Sequence, residues 1–147
     1  MQLNKFTDYA LRILMYISRP KETPYTIAEI ATDLHVSHNH LVKIVHFMGK
    51  QNWIHTTRGK GGGIRLNDAT YQLGLGDIVR ILQGDPPIVD CHSPPCVFRS
   101  NCGLINILDQ AATAFYQHLN QYRFGDLNPP TTTALSQLHI PVLQLHR

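Results

Sequence analysis

From Leu34 through Asn67 the chain has no acidic residue, although its overall net charge is only +3. Lys43, Lys50, Arg58, Lys60 and Arg65 all fall in that stretch. A basic segment with no local compensation fits a polyanionic partner, most often nucleic acid, or else a solvated face with no partner. No cysteine occurs outside Cys91–Cys102. An odd set of thiols in one short stretch is not a disulfide framework, and a chain of 147 residues can bury a core without staples. No long hydrophobic run is present. Leu11–Ile17 is interrupted by Arg12 and is too short to span a bilayer. Met1–Lys5 lacks the pattern of a secretory signal. A soluble, cytoplasmic chain with no membrane partner is therefore expected, in a reducing compartment where thiols stay free or metal-bound. No Ser/His/Asp or paired-carboxylate arrangement can be recognised, and there are no internal repeats. The nine histidines are scattered, so no enzyme is expected.

The first half of the chain is patterned for helices. Phe6, Ala10, Ile13, Leu14 and Ile17 recur at three-to-four spacing and predict a helix over Phe6–Ser18, capped by Asn4 or Thr7 and ended by Pro20. Asp8 lies in its first turn, where the helix dipole favours a negative charge. Thr26–Leu34 opens on a T-x-x-E capping box, Thr26 with Glu29. After a short turn, Ser37 caps a third helix whose apolar face is Leu41, Ile44, Val45 and Met48. Two short helices joined by such a turn make a helix-turn-helix. The outward residues at the start of its second helix are Ser37, His38, Asn39, His40 and Lys43, types suited to base edges and phosphates.

Two β-prone runs follow, Trp53–Thr57 and Ile64–Leu66, around Arg58-Gly59-Lys60-Gly61-Gly62-Gly63. They read as a hairpin, and directly after a helix-turn-helix a hairpin is a wing. Its glycines let the tip approach a phosphate backbone that Arg58, Lys60 and Arg65 would neutralise. A nucleotide-binding loop would need Ser or Thr after the lysine and a helix after the glycines. Neither is present.

Leu75–Leu82 reads as a short helix stopped by Gly84. The cysteines follow as C-x4-C-x5-C, at Cys91, Cys96 and Cys102, in a loop stiffened by Pro94 and Pro95. Three soft ligands suit an iron–sulfur cluster. Reactive thiols, zinc with His92 as a fourth ligand, and three unrelated cysteines are the other readings. Cys102 begins the next helix, which Ser100 or Asn101 can cap. Leu104, Ile107, Leu108, Ala111, Phe115, Leu119 and Tyr122 give that helix an apolar stripe over Gly103–Phe124, roughly 30 Å long. A two-fold partner could cover the stripe with the same helix, or the helix could pack on its own winged domain. After Phe124 periodicity fades. Asn128-Pro129-Pro130 is a break, and Thr131–Leu138 can form one or two helical turns.

The order of winged helix, cysteine loop and long helix resembles the NsrR/IscR-type iron–sulfur transcription regulators, nitric-oxide-sensing repressors among them. The resemblance covers about residues 1–125. It is carried by F-T-D-Y-A-L-R at Phe6–Arg12, N-H-L-V-K-I-V at Asn39–Val45, R-G-K-G-G-G-I-R-L at Arg58–Leu66, and the cysteine spacing. It implies a homodimer with one cluster per subunit, held by Cys91, Cys96 and Cys102. In nitric-oxide-sensing members the fourth ligand is an aspartate from the first helix of the other subunit, and Asp8 stands in that place. The residues alone equally allow Asp8 to be a helix-start acid paired with Arg12 at i+4. His92 and His118 are the alternative fourth ligands. The cluster implied is 4Fe–4S, with 2Fe–2S as the fallback.

The expected fold is mainly α with a small β wing: a winged helix-turn-helix plus a long dimerisation helix. The division expected is residues 1–83 for DNA binding, 84–102 for the cluster loop, 103–124 for dimerisation and 125–147 as a loosely held tail. The expected function is a cluster-dependent repressor on a two-fold DNA site, with nitric oxide as signal and release of DNA when the cluster is nitrosylated or lost. A regulator sensing iron supply or redox state is the near alternative. A thiol or cluster redox protein is the more distant one, since an electron carrier needs neither the basic stretch nor the wing.

Overall fold

The computed structural model describes residues 2–84 and 86–127. Asn4 starts α1 (Lys5–Ile17) by accepting the Thr7 N–H on its side chain at 2.8 Å. Ser18 is the C-cap of this helix rather than its last residue. α2 (Ile27–Leu34) has the expected capping box. Thr26 Oγ1 accepts the Glu29 N–H at 3.2 Å, and Glu29 reaches back to the Thr26 N–H. His35, at φ 53°, makes the left-handed turn out of α2. Ser37 then caps α3 (His38–Lys50). β1 (Ile54–Thr57) and β2 (Gly63–Leu66) pair antiparallel with Ile54 opposite Leu66 and Thr57 opposite Gly63. A 3-10 turn, Asp68–Gln72, leads into α4 (Leu75–Gln83), which ends at Gly84 with φ 73°. The cysteine loop follows, and α5 (Gly103–Leu119) closes the helical part.

The core is shared by these elements. Ala10, Ile13 and Leu14 of α1, Ile30 of α2, Leu41, Ile44 and Met48 of α3 and Ile78 of α4 are all buried. Trp53, Ile54 and Ile64 bring the wing base onto the same cluster. An aromatic chain, Phe6 edge-on to Phe47 at 5.3 Å and Phe47 to Trp53 at 6.3 Å, runs from α1 through α3 to the wing. The wing base is fixed by the Trp53 carbonyl, which accepts from the Asn67 N–H at 2.9 Å and the Thr70 hydroxyl at 2.8 Å.

The last helix departs from expectation at both ends. Neither Ser100 nor Asn101 caps it. They belong to a 3-10 turn, Arg99–Asn101, and Cys102 is the N-cap residue with no side-chain cap bond. The helix stops at Leu119, not Phe124, so its length is roughly 25 Å at 1.5 Å per residue. Beyond it the chain doubles back. Tyr122 accepts the Leu75 N–H through its carbonyl at 2.9 Å, and the Phe124 N–H donates to Leu73 at 2.9 Å. Phe124 is fully buried in the core. The physical reason is Asn120. The N-cap of α4 is Gly74, which has no side chain to offer. Asn120 Oδ1 accepts the Asp77 N–H at 2.9 Å, and its Nδ2 donates to the Asp77 carboxylate at 2.8 Å. A residue forty-three positions away thus caps α4. Residues 125–127 continue a 3-10 turn, Phe124–Leu127. The expectations for Asn128–Pro130 and Thr131–Leu138 lie outside the described residues.

Candidate functional site

Two groups of residues carry the site. The first is the face shared by α3 and the wing. His38, Asn39, His40 and Lys43 are exposed along the start of α3. Ser37 is exposed too, and its hydroxyl accepts the His40 N–H at 3.4 Å. At the other edge, Arg58 and Lys60 stand exposed on the wing tip, where Gly59 and Gly61 take φ values of 96° and 80°. These backbone angles strain any residue with a Cβ. Between the later part of α3 and the wing runs an open groove, lined by Thr26, Val42, His46, Lys50, His55 and Arg58 among others. Among the described residues, no carboxylate lines it. A helix and a hairpin flanking a basic groove are the elements with which winged helices meet a phosphate backbone.

Arg65, expected to neutralise DNA, is exposed and has backbone partners as well. It lies on β2 and donates from its guanidinium to the backbone carbonyls of Lys21 and Glu22. It thereby holds the loop between α1 and α2 against the wing base. Lys21 in turn pairs with Glu29 and lies 4.7 Å over the Tyr25 ring. His46 and His55 were not singled out in the sequence. A signal existed, since both fall inside the acid-free stretch.

The second group is the cysteine loop. Cys91, Cys96 and Cys102 are free thiols, each partly buried. The loop is ordered locally. Asp90 accepts the N–H groups of His92 at 2.8 Å and Ser93 at 3.3 Å. The first of these bonds pulls the Asp90 carboxyl below its usual range. The Cys96 N–H donates to the Cys91 carbonyl, and the Arg99 N–H to the Cys96 carbonyl, both at 3.2 Å. The Cys91 thiol is pushed up, first by partial burial and then by the neighbouring Cys96 and Cys102 sulfurs and Asp90. A thiol whose ionisation its neighbours oppose is a donor that a soft cation would relieve, releasing a proton as it binds.

Among the described residues, no group of three His, Cys, Asp or Glu side chains is arranged to hold a single metal ion. A cluster makes a different demand, because each thiolate takes its own iron. Three partly buried thiols in one loop fit that demand. His92 lies in this loop, while His118 is remote in sequence, exposed near the end of α5 against the Tyr122 ring at 6.1 Å. Asp8 is on the outward face of α1, where its carboxylate accepts from Arg12 Nε at 2.9 Å. That hydrogen bond holds the Arg12 guanidinium above its ordinary range.

Between the loop and α5 the chain exposes apolar surface. Val97 is 86% and Phe98 70% exposed, and Leu104 and Ile107 on α5 are 58% and 64% exposed. The opposite side of α5 packs on α4, where Arg80 stacks over the Tyr116 ring at 4.5 Å. No helix among the described residues is long and apolar enough to cross a membrane.

The chain is similar to known proteins in sequence and in fold. The chain is 35% identical over 131 residues to the HTH-type transcriptional regulator NsrR of Halalkalibacterium halodurans, covering 86% of this chain and 90% of that one. It is 36% identical to the regulator of the same name from Bacillus subtilis, again over 86% and 90%. Among solved structures, oxidised CymR of Staphylococcus aureus superposes with a TM-score of 0.67 at 19% identity, over 90% of this chain and all of that one. IscR of T. potens gives 0.60 at 16%, over 86% and 85%. Both share the winged-helix fold. The Rrf2 family model, described as an iron-dependent transcriptional regulator, matches residues 3–129. With a winged helix that presents a basic groove and relatives that are transcription regulators over nearly their whole length, this chain belongs to the Rrf2 family of transcriptional regulators.

Proposed function

We propose that this regulator is a homodimeric repressor that binds a two-fold DNA site while an iron–sulfur cluster is in place, and that nitric oxide releases it. The observation that carries the reading is the position of Cys91, Cys96 and Cys102, together in one loop between α4 of the DNA-binding unit and the exposed face of α5. In this reading residues 1–83 read DNA, 84–102 hold the cluster, α5 makes the dimer, and the chain after Phe124 has no assigned part. The exposed Leu104 and Ile107 supply the apolar surface that a second copy would cover. Two copies would then present two α3 helices to two half-sites. Ser37, His38, Asn39, His40 and Lys43 would meet bases and phosphates, and Arg58 and Lys60 the backbone beside the wing. Arg65 would meet the backbone beside them, while its guanidinium also holds the loop behind the wing.

The three cysteines would hold the cluster, 4Fe–4S rather than 2Fe–2S, one per subunit, with Asp8 of the other subunit as its fourth ligand. When bound, such a cluster supplies iron that nitric oxide attacks. Asp8 can take that part only by exchanging Arg12 for iron. The pair is exposed and so is easily given up. Asp8 sits on α1, which packs on α3 through Phe6 and Phe47. A bond from Asp8 to the neighbouring subunit's loop would therefore set the position of the recognition helix. Coupling of this kind amounts to about 5–150-fold in DNA affinity.

The family's description as iron-dependent favours a second reading, in which iron supply or redox state is the signal. Visible absorption of anaerobically purified protein, read before and after nitric oxide, separates the two. The proposal expects a brown protein whose spectrum changes with nitric oxide while DNA affinity falls in step. A spectrum indifferent to nitric oxide but lost on iron chelation supports the second reading. A colourless protein that still binds its operator contradicts both.

A further inference from the structure

A second basic feature joins the recognition helix to α1, and the helix-turn-helix and wing do not account for the α1 residues in it. Lys5, Phe6 and Tyr9 of α1 meet His40, Lys43 and Ile44 of α3 around a small hollow of about 140 Å³. Its floor is apolar. Ile44 is buried, and Phe6 and Tyr9 are half-buried. Its rim carries two cations, Lys5 and Lys43, both exposed, with His40 exposed beside them. Among the described residues, no acidic one lines it, and neither lysine takes an acidic partner. Asp8, one turn further along α1, is held by Arg12.

Lys5 is also misplaced by local rules. It is the first residue of α1, where the helix dipole disfavours a positive charge. Asn4 and Thr7 satisfy the helix start without it. The floor cannot shift freely either, since the Phe6 ring is held edge-on by Phe47. The hollow is therefore built, with cations contributed by two helices that are distant in sequence.

We propose that this hollow seats one sugar–phosphate unit of the DNA backbone. The phosphate oxygens would lie between Lys5 and Lys43, and the deoxyribose C–H surface against Phe6 and Tyr9. Lys5 is then a DNA-positioning residue that reads no base. The inference rests on the DNA-binding reading above and adds α1 to the elements that touch DNA. Its consequence is a fixed angle between α3 and the groove, because one backbone unit is gripped from two helices at once.

The test uses the full-length, cluster-loaded protein and operator duplexes carrying a single neutral methylphosphonate, moved along the backbone. For the parent, one position flanking each half-site should weaken binding. Lys5→Gln should weaken binding to operator and to unrelated DNA by the same factor, and flatten the log–log salt dependence by about one. At the sensitive position it should show no further loss with methylphosphonate. Lys5→Arg should restore both affinity and salt slope. Equal affinity and slope for Lys5→Gln and parent would overturn the proposal, as would full methylphosphonate sensitivity retained in Lys5→Gln at every position. A parent that binds no DNA would instead overturn the reading on which it rests.

Discussion

Gln83 ties the start of α1 to the end of α4, one residue before the chain turns toward the cysteines. Its side-chain oxygen accepts the Thr7 hydroxyl at 2.7 Å and the Asn4 N–H at 3.0 Å. Thr7 is fully buried, so its hydroxyl has no water to turn to. Gln83→Leu is expected to cost about 1–3 kcal/mol, the penalty of an orphaned buried donor, read as a lower urea midpoint at unchanged slope. Tyr16 gives a pH signature. Its hydroxyl donates to Asp33, and this bond chiefly pushes its pKa up to about 12. Unfolded tyrosine ionises near pH ~10. Between those values the folded state holds the extra proton, so stability falls as pH rises. The contribution is complete below pH ~10 and gone above the folded value of about 12. Melting temperatures across that window should fall less steeply for Tyr16→Phe than for the parent. An identical slope would show that the Tyr16–Asp33 bond does not hold in solution.

Most elements were legible because each announces itself locally. α2 carries its capping box, α3 its Ser37 cap and four apolar residues on one face, and the wing its run of glycines. The end of α5 was not legible. Leu119 and Tyr122 continue an apolar spacing that suits a helix, while the bond that ends the helix reaches Asp77 from Asn120. Periodicity does not report such long-range pairing. One clue was present, since Gly74 leaves α4 without a side-chain cap of its own. The loop-holding role of Arg65 was hidden for the same reason, because its partners are backbone carbonyls over forty positions away. The thiols were legible as a set from spacing alone, whereas the hollow around Lys5 needed α1 and α3 to be brought together. The returning segment is structural. Phe124→Ala should destabilise the fold by about 3–5 kcal/mol, measured by urea unfolding. A loss under about 1 kcal/mol would mean that residues 120–127 do not pack as described.

Taken as a single copy, the molecule leaves its loop and α5 face uncovered. Val97, Phe98, Leu104 and Ile107 are too exposed to serve the chain's own core. If a second copy covers them, Ile107→Glu should yield a folded monomer by sedimentation and lose the preference for a two-fold site over an isolated half-site. A dimer retained by that variant would move the interface elsewhere. Among the described residues, α4 and the chain that leaves it lead from the winged unit to the thiols. The central claim is that this connection is used, so that occupancy of the three thiols sets DNA affinity. It is tested most directly by titrating operator DNA with the anaerobically purified parent and with Cys91→Ala, Cys96→Ala and Cys102→Ala, each with its visible spectrum and oligomeric state recorded. The account predicts that every single variant loses the visible absorption and binds operator about 5–150-fold more weakly, while remaining a folded dimer. Variants that are colourless yet bind operator as tightly as a coloured parent would contradict it.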